Sequence, residues 1–400
     1  MLVAFSRFGS AAVAKLVDVG SIASYFQTLD DPRHTLNRKH KLVDVIVICV
    51  AAILCGCDGP TAIHRWATCQ RDWLAQHLEL PNGVPSRDCI RRILIALKPQ
   101  AFQCCFQDWI QDALPQNTDP AAKSAKPVKR LIAIDGKTCR ASHDEAKHLG
   151  PLHLVSAWAS EEGLALGQVA TEDKSNEITA IPLLLKQIPL ANTIVTIDAM
   201  GCQKAIVEQI VTDGGDAVIA VKKNQPTLHD AIESFFAEAI ARDLEDLTYR
   251  HHETTASGHG RSDGRLYFLA KVPKDFACEE EWPWVKAIGY AARYTQTDDG
   301  RESFEVRYYL STRYLSGKRF AEAVRGHWSI ESMHWVLDVT FREDDHRTRE
   351  RTMGNNLSWL RRFAVSILKR HPIDDSIRGK MLRCGYSPPF LAEVLGFQGK

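Results

Sequence analysis

Residues 130–140 read RLIAIDGKTCR, an apolar run of strand character that ends in an acid, Asp135, followed at once by glycine and lysine. A second run, NTIVTID at residues 192–198, also ends in an acid, Asp198, and a small residue follows it. Helical patterns, TAIPLLLKQI and CQKAIVEQIVTDGG, precede and follow the second run. This alternation of strands and helices predicts an α/β core with a mixed sheet.

The two acids are predicted to lie at the carboxyl ends of strands, where ligands bind in open α/β sheets. Taken alone, each acid is better explained as a turn or helix-capping aspartate. Together, Asp135 and Asp198 indicate a shared cation, because two carboxylates held close are costly unless a proton or a metal compensates them.

A third ligand is predicted on the helix GHWSIESMHWVLDVTF, residues 326–341. At about 100° per residue, His327, Glu331, His334 and Asp338 fall within roughly 60° of arc. Tryptophans border this polar stripe on one side and aliphatic residues border it on the other, which predicts a buried helix whose stripe faces something polar. Glu331 is the predicted third ligand, because Mg²⁺ favours carboxylate oxygens.

For His327 and His334, a structural hydrogen-bonding role is favoured over metal ligation. Zinc is the alternative if they do bind a metal, and it is less favoured because no recognisable spacing of Cys and His accompanies them. Asp338 is a supporting residue of the stripe, and it is the first substitute for Glu331 as the third ligand. Glu343 and Asp344 are the other substitutes.

Three acids around divalent cations are suited to phosphodiester chemistry, in which one ion activates the attacking oxygen and the other stabilises the leaving oxygen. Polar residues just past the predicted strand ends, and a glycine-rich turn, are placed to hold phosphates, although such positions are also ordinary surface. The predicted DNA contacts are Lys137, Lys222, Lys223, Asn224, Gln225, His259, Arg261 and Arg265.

The 400 residues divide into three parts by pattern. Residues 1–113 have apolar positions three and four apart and predict an all-helical N-terminal domain. It is either a packing domain, which is favoured, or a small DNA-binding module containing SRDCIRRILIALK. Residues 114–130 are a basic linker. Residues 131–400 are the predicted catalytic domain, with a β-rich insertion at about 226–316 and C-terminal helices.

Overall charge is nearly balanced, with 50 Lys and Arg against 49 Asp and Glu, so no general nucleic-acid signature is present. Both ends nevertheless lean positive, since residues 1–130 carry 16 basic and 11 acidic side chains and residues 317–370 carry 11 and 7. The 11 cysteines, with no C-x-x-C, predict reduced thiols in a cytoplasmic protein. The apolar runs are too short for a membrane span.

Six separated motifs carry a resemblance that runs almost the whole length of the chain: AIDGKT, DKSNEITAIPLLL, TIDAMGCQ, VKKNQ, GHGR and HWSIESMHWVLDVTFREDDHRTR. In this order they resemble the H-repeat-associated transposases, a family of insertion-sequence DDE transposases. The resemblance implies a ribonuclease H-like core with an inserted β-rich subdomain, and an N-terminal domain that binds DNA.

By that resemblance, Asp135, Asp198 and Glu331 match the DDE triad. It also implies Mg²⁺ or Mn²⁺, two ions in all, water-driven cutting of the donor strand at the element's ends, and attack of the freed 3′-hydroxyl on target DNA. The sequence departs from the family at Cys139, Ala141 and Ser332. In related groups a lysine follows the glutamate by seven residues, where this chain has an aspartate.

The leading hypothesis is therefore an active DNA transposase acting on double-stranded DNA, as a homodimer or higher assembly, because joining two element ends calls for at least two protomers. Three alternatives remain open at this point. They are a catalytically silent or repurposed DNA-binding protein, a metal-dependent nuclease without strand transfer, and a hydrolase that acts on something other than nucleic acid.

Overall fold

The computed structural model describes residues 21–114, 129–171, 177–245, 247–258, 260–274, 276 and 278–397. Within them, 12 α-helices and one nine-stranded mixed sheet are divided between two compact units. One unit is helical and comprises the described residues up to 114 together with 339–343 and 350–397. The other contains the sheet and comprises the described residues of 129–338 together with 344–349.

The helical unit is built around α1, which is apolar on nearly all sides and almost completely buried. Aromatic rings fill much of the space around it, with Phe106 contacting Phe26, Phe102 and Phe363. Its helices are α1 (Leu42–Leu54), α2 (Pro60–Cys69), α3 (Arg71–His77), α4 (Arg87–Ala96), α5 (Pro99–Ala113), α10 (Arg351–Arg370), α11 (Ile377–Tyr386) and α12 (Pro388–Val394).

The C-terminal helices belong to this unit, which differs from the division expected from sequence. Helix α10 packs on α1, α4 and α5. The Asn356 side chain donates hydrogen bonds to the backbone carbonyls of Leu94 and Leu97 at 2.8 and 2.9 Å, tying α10 to the end of α4. Residues 350–397 therefore complete the helical unit rather than the sheet.

The second unit is built on the sheet, in the strand order β3-β2-β1-β4-β5-β9-β8-β7-β6. In the first five positions β1, β3, β4 and β5 run in one direction and β2 alone runs antiparallel to them, which is the arrangement of a ribonuclease H-like core. The expected α/β fold class is confirmed. The core strands are β1 (Arg130–Cys139), β2 (Leu152–Ala159), β3 (Leu164–Thr171), β4 (Thr193–Ile197) and β5 (Asp216–Val221).

The β-rich segment expected over residues 226–316 begins with a helix and then continues the same sheet. Helix α8 (Pro226–Ala241) comes first, and β9 pairs antiparallel with β5. The added strands are β6 (Tyr249–Gly258), β7 (Arg261–Lys271), β8 (Ala287–Thr297) and β9 (Glu302–Ser311). The core sheet and its extension therefore share their two faces, and residues far apart in sequence line one surface.

Helix α9 (Gly317–Val339) covers one face of this sheet. Its residues Phe320 and Val324 pack in one core cluster with Leu131 of β1, Ile194 of β4 and Tyr309 of β9. Helices α6 (Glu177–Leu185) and α7 (Lys204–Thr212) pack against β2, β3 and β5. No helix among the described residues has both the length and the apolar character that crossing a bilayer requires.

Candidate active site

Asp135 lies inside β1 rather than at its end. The strand continues as far as Cys139, and Asp135 is the register partner of Ser156 in β2. The prediction that the strand ends at Asp135 is therefore wrong. The reason is the long antiparallel partner β2, which keeps β1 in the sheet beyond the acid.

Strand β4 ends at Ile197, and Asp198 follows it as predicted. The parallel register pairs Ile134 with Ile197, so the residues that follow them, Asp135 in β1 and Asp198 just after β4, are neighbours. Asp198 also caps the short helical turn that follows, because its Oδ1 accepts a hydrogen bond from the Met200 N–H at 3.0 Å. The cap fixes the orientation of a carboxylate that still lines the cavity beside Asp135.

The polar stripe of α9 faces these two strands. His327 Nδ1 lies 3.2 Å from the Thr196 hydroxyl on β4, and His334 Nδ1 lies 3.6 Å from Asp135 Oδ2 on β1. Glu331 lies between the two histidines on the helix. The helical spacing thus aims the stripe at the acids of the sheet, and each histidine contacts the strand that holds one of them.

The flanks of the stripe differ from the prediction of a helix buried on both sides. Ile330 and Leu337 are fully buried, whereas Trp328 is 46 % exposed and Trp335 is 62 % exposed. Helix α9 therefore buries its aliphatic flank and presents an aromatic flank at the surface.

One cavity of about 410 Å³ joins the three acids. Asp135, Asp198 and Glu331 line it together. Two side chains that the sequence did not single out also line it, His229 of α8 and Arg307 of β9. The cavity thus brings the three acids together with basic side chains in the same wall.

The pKa of Asp135 is raised to about 7. Burial is the largest cause and the nearby carboxylates of Asp198, Glu177 and Glu331 also raise it, while a hydrogen bond from the Gly136 N–H acts in the opposite direction. A carboxylate with such a pKa is costly to ionise, so a positive charge nearby would stabilise its charged form.

The pKa values of Glu331 and His327 are also shifted. Burial raises the pKa of Glu331, and the Arg307 guanidinium lowers it. Burial lowers the pKa of His327, which favours the neutral imidazole that its contact with Thr196 also accommodates. The cavity therefore has crowded acids and a neutral histidine.

This donor set fits a hard divalent cation, which prefers carboxylate oxygens and offsets their mutual repulsion. Among the described residues, however, the one group of three ligand atoms all within 4.8 Å of one another is His229, Asp230 and Glu233. The three triad acids are less compact than that. Glu331 is exposed on its helix, so its side chain has more rotational freedom than a buried one.

Comparison with known proteins identifies the family. Residues 126–367 match the family described as "Transposase DDE domain", and residues 23–110 match the one described as "DDE_Tnp_1-associated". The first match covers more than half of the chain and includes the whole cavity described above.

The chain belongs to the DDE transposase family.

Relatives match nearly end to end. The candidate transposase YncI of Escherichia coli O157:H7 is 35 % identical over 384 residues, covering 95 % of each chain. The H repeat-associated candidate transposase YhhI of Escherichia coli strain K12 is 34 % identical over 394 residues, covering 96 % of this chain and all of the relative. The resemblance to H-repeat-associated transposases is thereby confirmed.

Lys137 occupies a different place in this transposase from the one predicted. It lies within β1, is 6 % exposed, and its amine contacts Asp338 Oδ1 at 2.6 Å and Asp344 Oδ1 at 2.9 Å. The expectation that it lies past a strand end is wrong, for the same reason that applies to Asp135. Because Lys137 is buried and paired with two acids, it links β1 to α9 and is not placed as a surface phosphate contact.

The residues after β5 divide into two kinds. Lys222 and Lys223 are exposed just past the strand end, as predicted. Asn224 and Gln225 instead donate side-chain hydrogen bonds to the backbone carbonyls of Ala199 and Cys202, at 2.6 and 2.9 Å. Both amides therefore hold the loop that follows Asp198.

In the β6–β7 hairpin, the predicted contact His259 lies outside the described residues. Arg261 is exposed at the start of β7, and Arg265 is partly buried further along it. Both approach the carboxylate of Asp263, at 3.5 and 3.1 Å. Sequence reasoning overlooked this buried acid, which organises the arginines around it.

The substitute ligands for Glu331 are all engaged elsewhere. Asp338 and Asp344 pair with Lys137. Glu343 is buried in the helical unit, where its Oε1 lies 3.2 Å from Arg362 and 3.8 Å from Arg361. Glu331 is the member of this group that lines the cavity with Asp135 and Asp198.

A second overlooked network lies beside Asp135. His153 of β2 and Glu177 at the start of α6 are both buried, and His153 Nε2 lies 2.7 Å from Glu177 Oε1. Thr138 Oγ1 lies 2.8 Å from His153 Nδ1. Gly136 is required between them, because a Cβ there would overlap the Glu177 carboxylate and the imidazole. The sequence signal for this network is Glu177, the glutamate after the asparagine in the DKSNEITAIPLLL motif.

Proposed function

We propose that the chain is an active DNA transposase that cleaves donor DNA at the ends of its element and transfers the freed 3′-hydroxyl to target DNA. In this proposal Asp135, Asp198 and Glu331 bind two divalent cations, Mg²⁺ or Mn²⁺. The observation that carries the proposal is that the three acids of the family pattern line one cavity, although they come from β1, the end of β4 and the middle of α9.

The electrostatics of the cavity support a cation. The pKa of about 7 at Asp135 means that its charged form is costly in the free protein, and neighbouring carboxylates contribute to that cost. When bound, the ions would activate the attacking oxygen and stabilise the leaving oxygen of an in-line phosphodiester displacement. The protein's part is to hold the acids at the correct separation and to admit the DNA strand.

Several contacts position the acids for that role. His334 lies against Asp135, and the His327–Thr196 contact fixes α9 over β4. The Asn224 amide donates to the loop after Asp198. Each of these side chains acts through another residue, so they are positioning residues in this proposal rather than catalytic ones.

DNA is the proposed partner, and we assign contacts to the exposed Lys222, Lys223 and Arg261 and the partly buried Arg265, near the cavity and the hairpin. His259 remains a prediction from sequence. The helical domain at residues 1–113 is proposed to bind DNA because the family resemblance implies that role. A homodimer or larger assembly on DNA is proposed from the need to hold two element ends together.

The test is to incubate the purified protein with a duplex carrying its own element's end, in Mg²⁺ or in EDTA, and to resolve the strands on a gel. We expect nicking at the element boundary in Mg²⁺ and none in EDTA. The Asp135→Ala and Glu331→Gln proteins should bind the duplex and fail to cut it. Glu322→Gln is the matched control, because it neutralises an acid on the same helix outside the cavity.

The outcomes separate the competing functions. Cutting that is followed by joining to a target plasmid supports the transposase, and cutting without joined product would assign a nuclease. Binding without any cut would assign a DNA-binding remnant. Retained cutting in the Glu331→Gln protein would remove Glu331 from the ligand set.

A further inference from the structure

A groove of about 290 Å³ continues the acid cavity across the sheet extension. The two cavities share the side chains of Glu305, Arg307, Tyr309, Val324 and Trp328 in their walls. The groove therefore begins where the carboxylate site ends and leads away from it over β7, β8 and β9.

The groove lies on the face of the sheet that α9 covers. The strand register places Arg265 of β7 opposite Arg293 of β8, and Arg293 opposite Glu305 of β9. In the adjoining row, Ala291 of β8 is opposite Arg307 of β9. Since residues two apart share a face, these arginines project on one side.

Four arginines line the groove: Arg265, Arg293, Arg307 and Arg325. Two carboxylates are close to them, Asp263 beneath Arg265 and Arg293, and Glu305 beside Arg307 at 2.8 Å. Four positive charges against two negative ones leave an excess of two. Like charges directly opposite on neighbouring strands are destabilising, so the Arg265–Arg293 pair is an arrangement that packing alone would not favour.

Asp263 holds part of this arrangement in place. Asp263 is only 6 % exposed. Its carboxylate accepts hydrogen bonds from Thr295 at 2.6 Å, from Arg293 at 2.9 Å and from Arg265 at 3.1 Å. These charge-assisted bonds fix the directions of two guanidiniums and leave their remaining N–H groups for another acceptor.

Arg307 is oriented differently, by an aromatic ring. Its guanidinium lies 4.9 Å from the centroid of the Trp328 ring, and that indole is half exposed. Arg325, on the preceding turn of α9, is exposed and has no ion-pair partner within 4 Å among the described residues. The groove thus offers pre-oriented guanidinium donors directly beside the acids.

We propose that this arginine groove binds the phosphodiester backbone of the DNA strand that continues from the scissile phosphate. The inference rests on the proposed function and adds to it a surface and its organiser, since Asp263 acts as a positioning residue for the arginines. Guanidiniums in a planar fork match phosphate oxygens, and backbone contacts of this kind position DNA without reading its sequence.

The salt dependence of binding tests the number of phosphate contacts. Affinity for an element-end duplex is measured in EDTA between 50 and 200 mM NaCl for the wild type, Arg293→Gln and Arg325→Gln. Each lost phosphate contact should reduce the magnitude of the slope of log K against log salt by about 0.9. Over this salt range the affinity would then change about threefold less than in the wild type. Arg301→Gln is the matched control, an exposed arginine of the β8–β9 hairpin outside the groove.

Neutral methylphosphonates, placed singly on either side of the cut, locate the contact. In the wild type, a substitution close to the cut should weaken binding, whereas in Arg293→Gln or Arg325→Gln the same substitution should have little further effect. Asp263→Asn should reduce the same phosphate dependence, and Arg325→Gln keeps the test informative if that variant does not fold. Unchanged slopes and fully additive effects in both arginine variants would overturn the groove assignment.

The catalytic proposal and the groove proposal can be refuted independently of each other. A wild-type protein that cuts the duplex while the groove variants bind with unchanged slope refutes the groove alone. A wild-type protein that shows the expected slopes and methylphosphonate pattern but never cuts refutes the catalytic proposal and leaves the groove in place.

Discussion

Replacing Asp135 by Asn should stabilise the metal-free protein while removing its proposed activity. The pKa of this buried acid rises from the unfolded value of 3.8 to about 7 in the folded protein. One pKa unit corresponds to about 1.4 kcal/mol, so ionisation of Asp135 costs up to about 4 kcal/mol of folding free energy. Because its side chain is 25 % exposed and keeps some hydration, we expect a gain of about 2–4 kcal/mol from the neutral amide.

The pH dependence follows from the sign of the shift. An acid with a raised folded pKa binds its proton more tightly in the folded state, so wild-type stability falls as the pH rises from about 4 to about 7 and is level above that. The advantage of Asp135→Asn should therefore be small at pH 4, grow through this window and be complete at pH 8.

Thermal unfolding in EDTA, followed by circular dichroism at several pH values, measures this difference. For a unit of this size, the expected gain corresponds to a rise in Tm of about 5–15 °C at pH 8. Adding Mg²⁺ should raise the Tm of the wild type and change that of Asp135→Asn much less, because the variant loses a proposed ligand.

The control is Asp213→Asn, the same chemical change at an exposed acid after α7. It should leave the Tm within about 2 °C at every pH. A difference between wild type and Asp135→Asn that does not vary with pH, or an Asp135→Asn protein less stable than wild type at pH 8, would refute the electrostatic account of the cavity.

Three further predictions concern packing around the site and in the helical unit. Gly136→Ala places a methyl group against the buried His–Glu pair and should cost about 1–3 kcal/mol in urea unfolding, whereas Gly150→Ala, with open space around it, should cost much less. Asn224→Ala removes the amide that holds the loop after Asp198 and should lower the cutting rate more than about tenfold with a small change in Tm; an unchanged rate argues against positioning. Glu343→Gln leaves two buried arginines without their acid and should lower the free energy of unfolding of the helical unit by about 3–5 kcal/mol. An unchanged free energy would mean that these ion pairs are dispensable for stability.

The sequence predicted the polar stripe of α9 well because the signal is local. A period of 3.6 residues places His327, Glu331 and His334 on one face whatever the rest of the chain does, and the contacts of both histidines with the sheet agree with it. The end of β4 was also predictable, since Asp198 closes an isolated apolar run.

Features set by long-range pairing were not predictable. The extent of β1 beyond Asp135 depends on its register with β2, which no pattern within RLIAIDGKTCR encodes. The position of Arg307 in the cavity could not be predicted for the same reason. The alternating pattern of its strand does not indicate that β9 pairs with β5 and so reaches the cavity. The placement of residues 350–397 in the helical unit depends likewise on tertiary packing.

The arrangement of charge around Asp135 explains why the chain does not neutralise its own site. Lys137 lies two residues further along the same strand and so shares its face, yet its amine is held by Asp338 and Asp344. Arg307 lies beside Glu305 and the Trp328 ring and lowers the pKa of Glu331. Lys222, which also lines the cavity, is exposed to solvent. Because Lys137 and Arg307 are oriented by partners of their own and Lys222 is solvated, the costly carboxylate of Asp135 remains available for an external cation, and the arginines remain available for a phosphate.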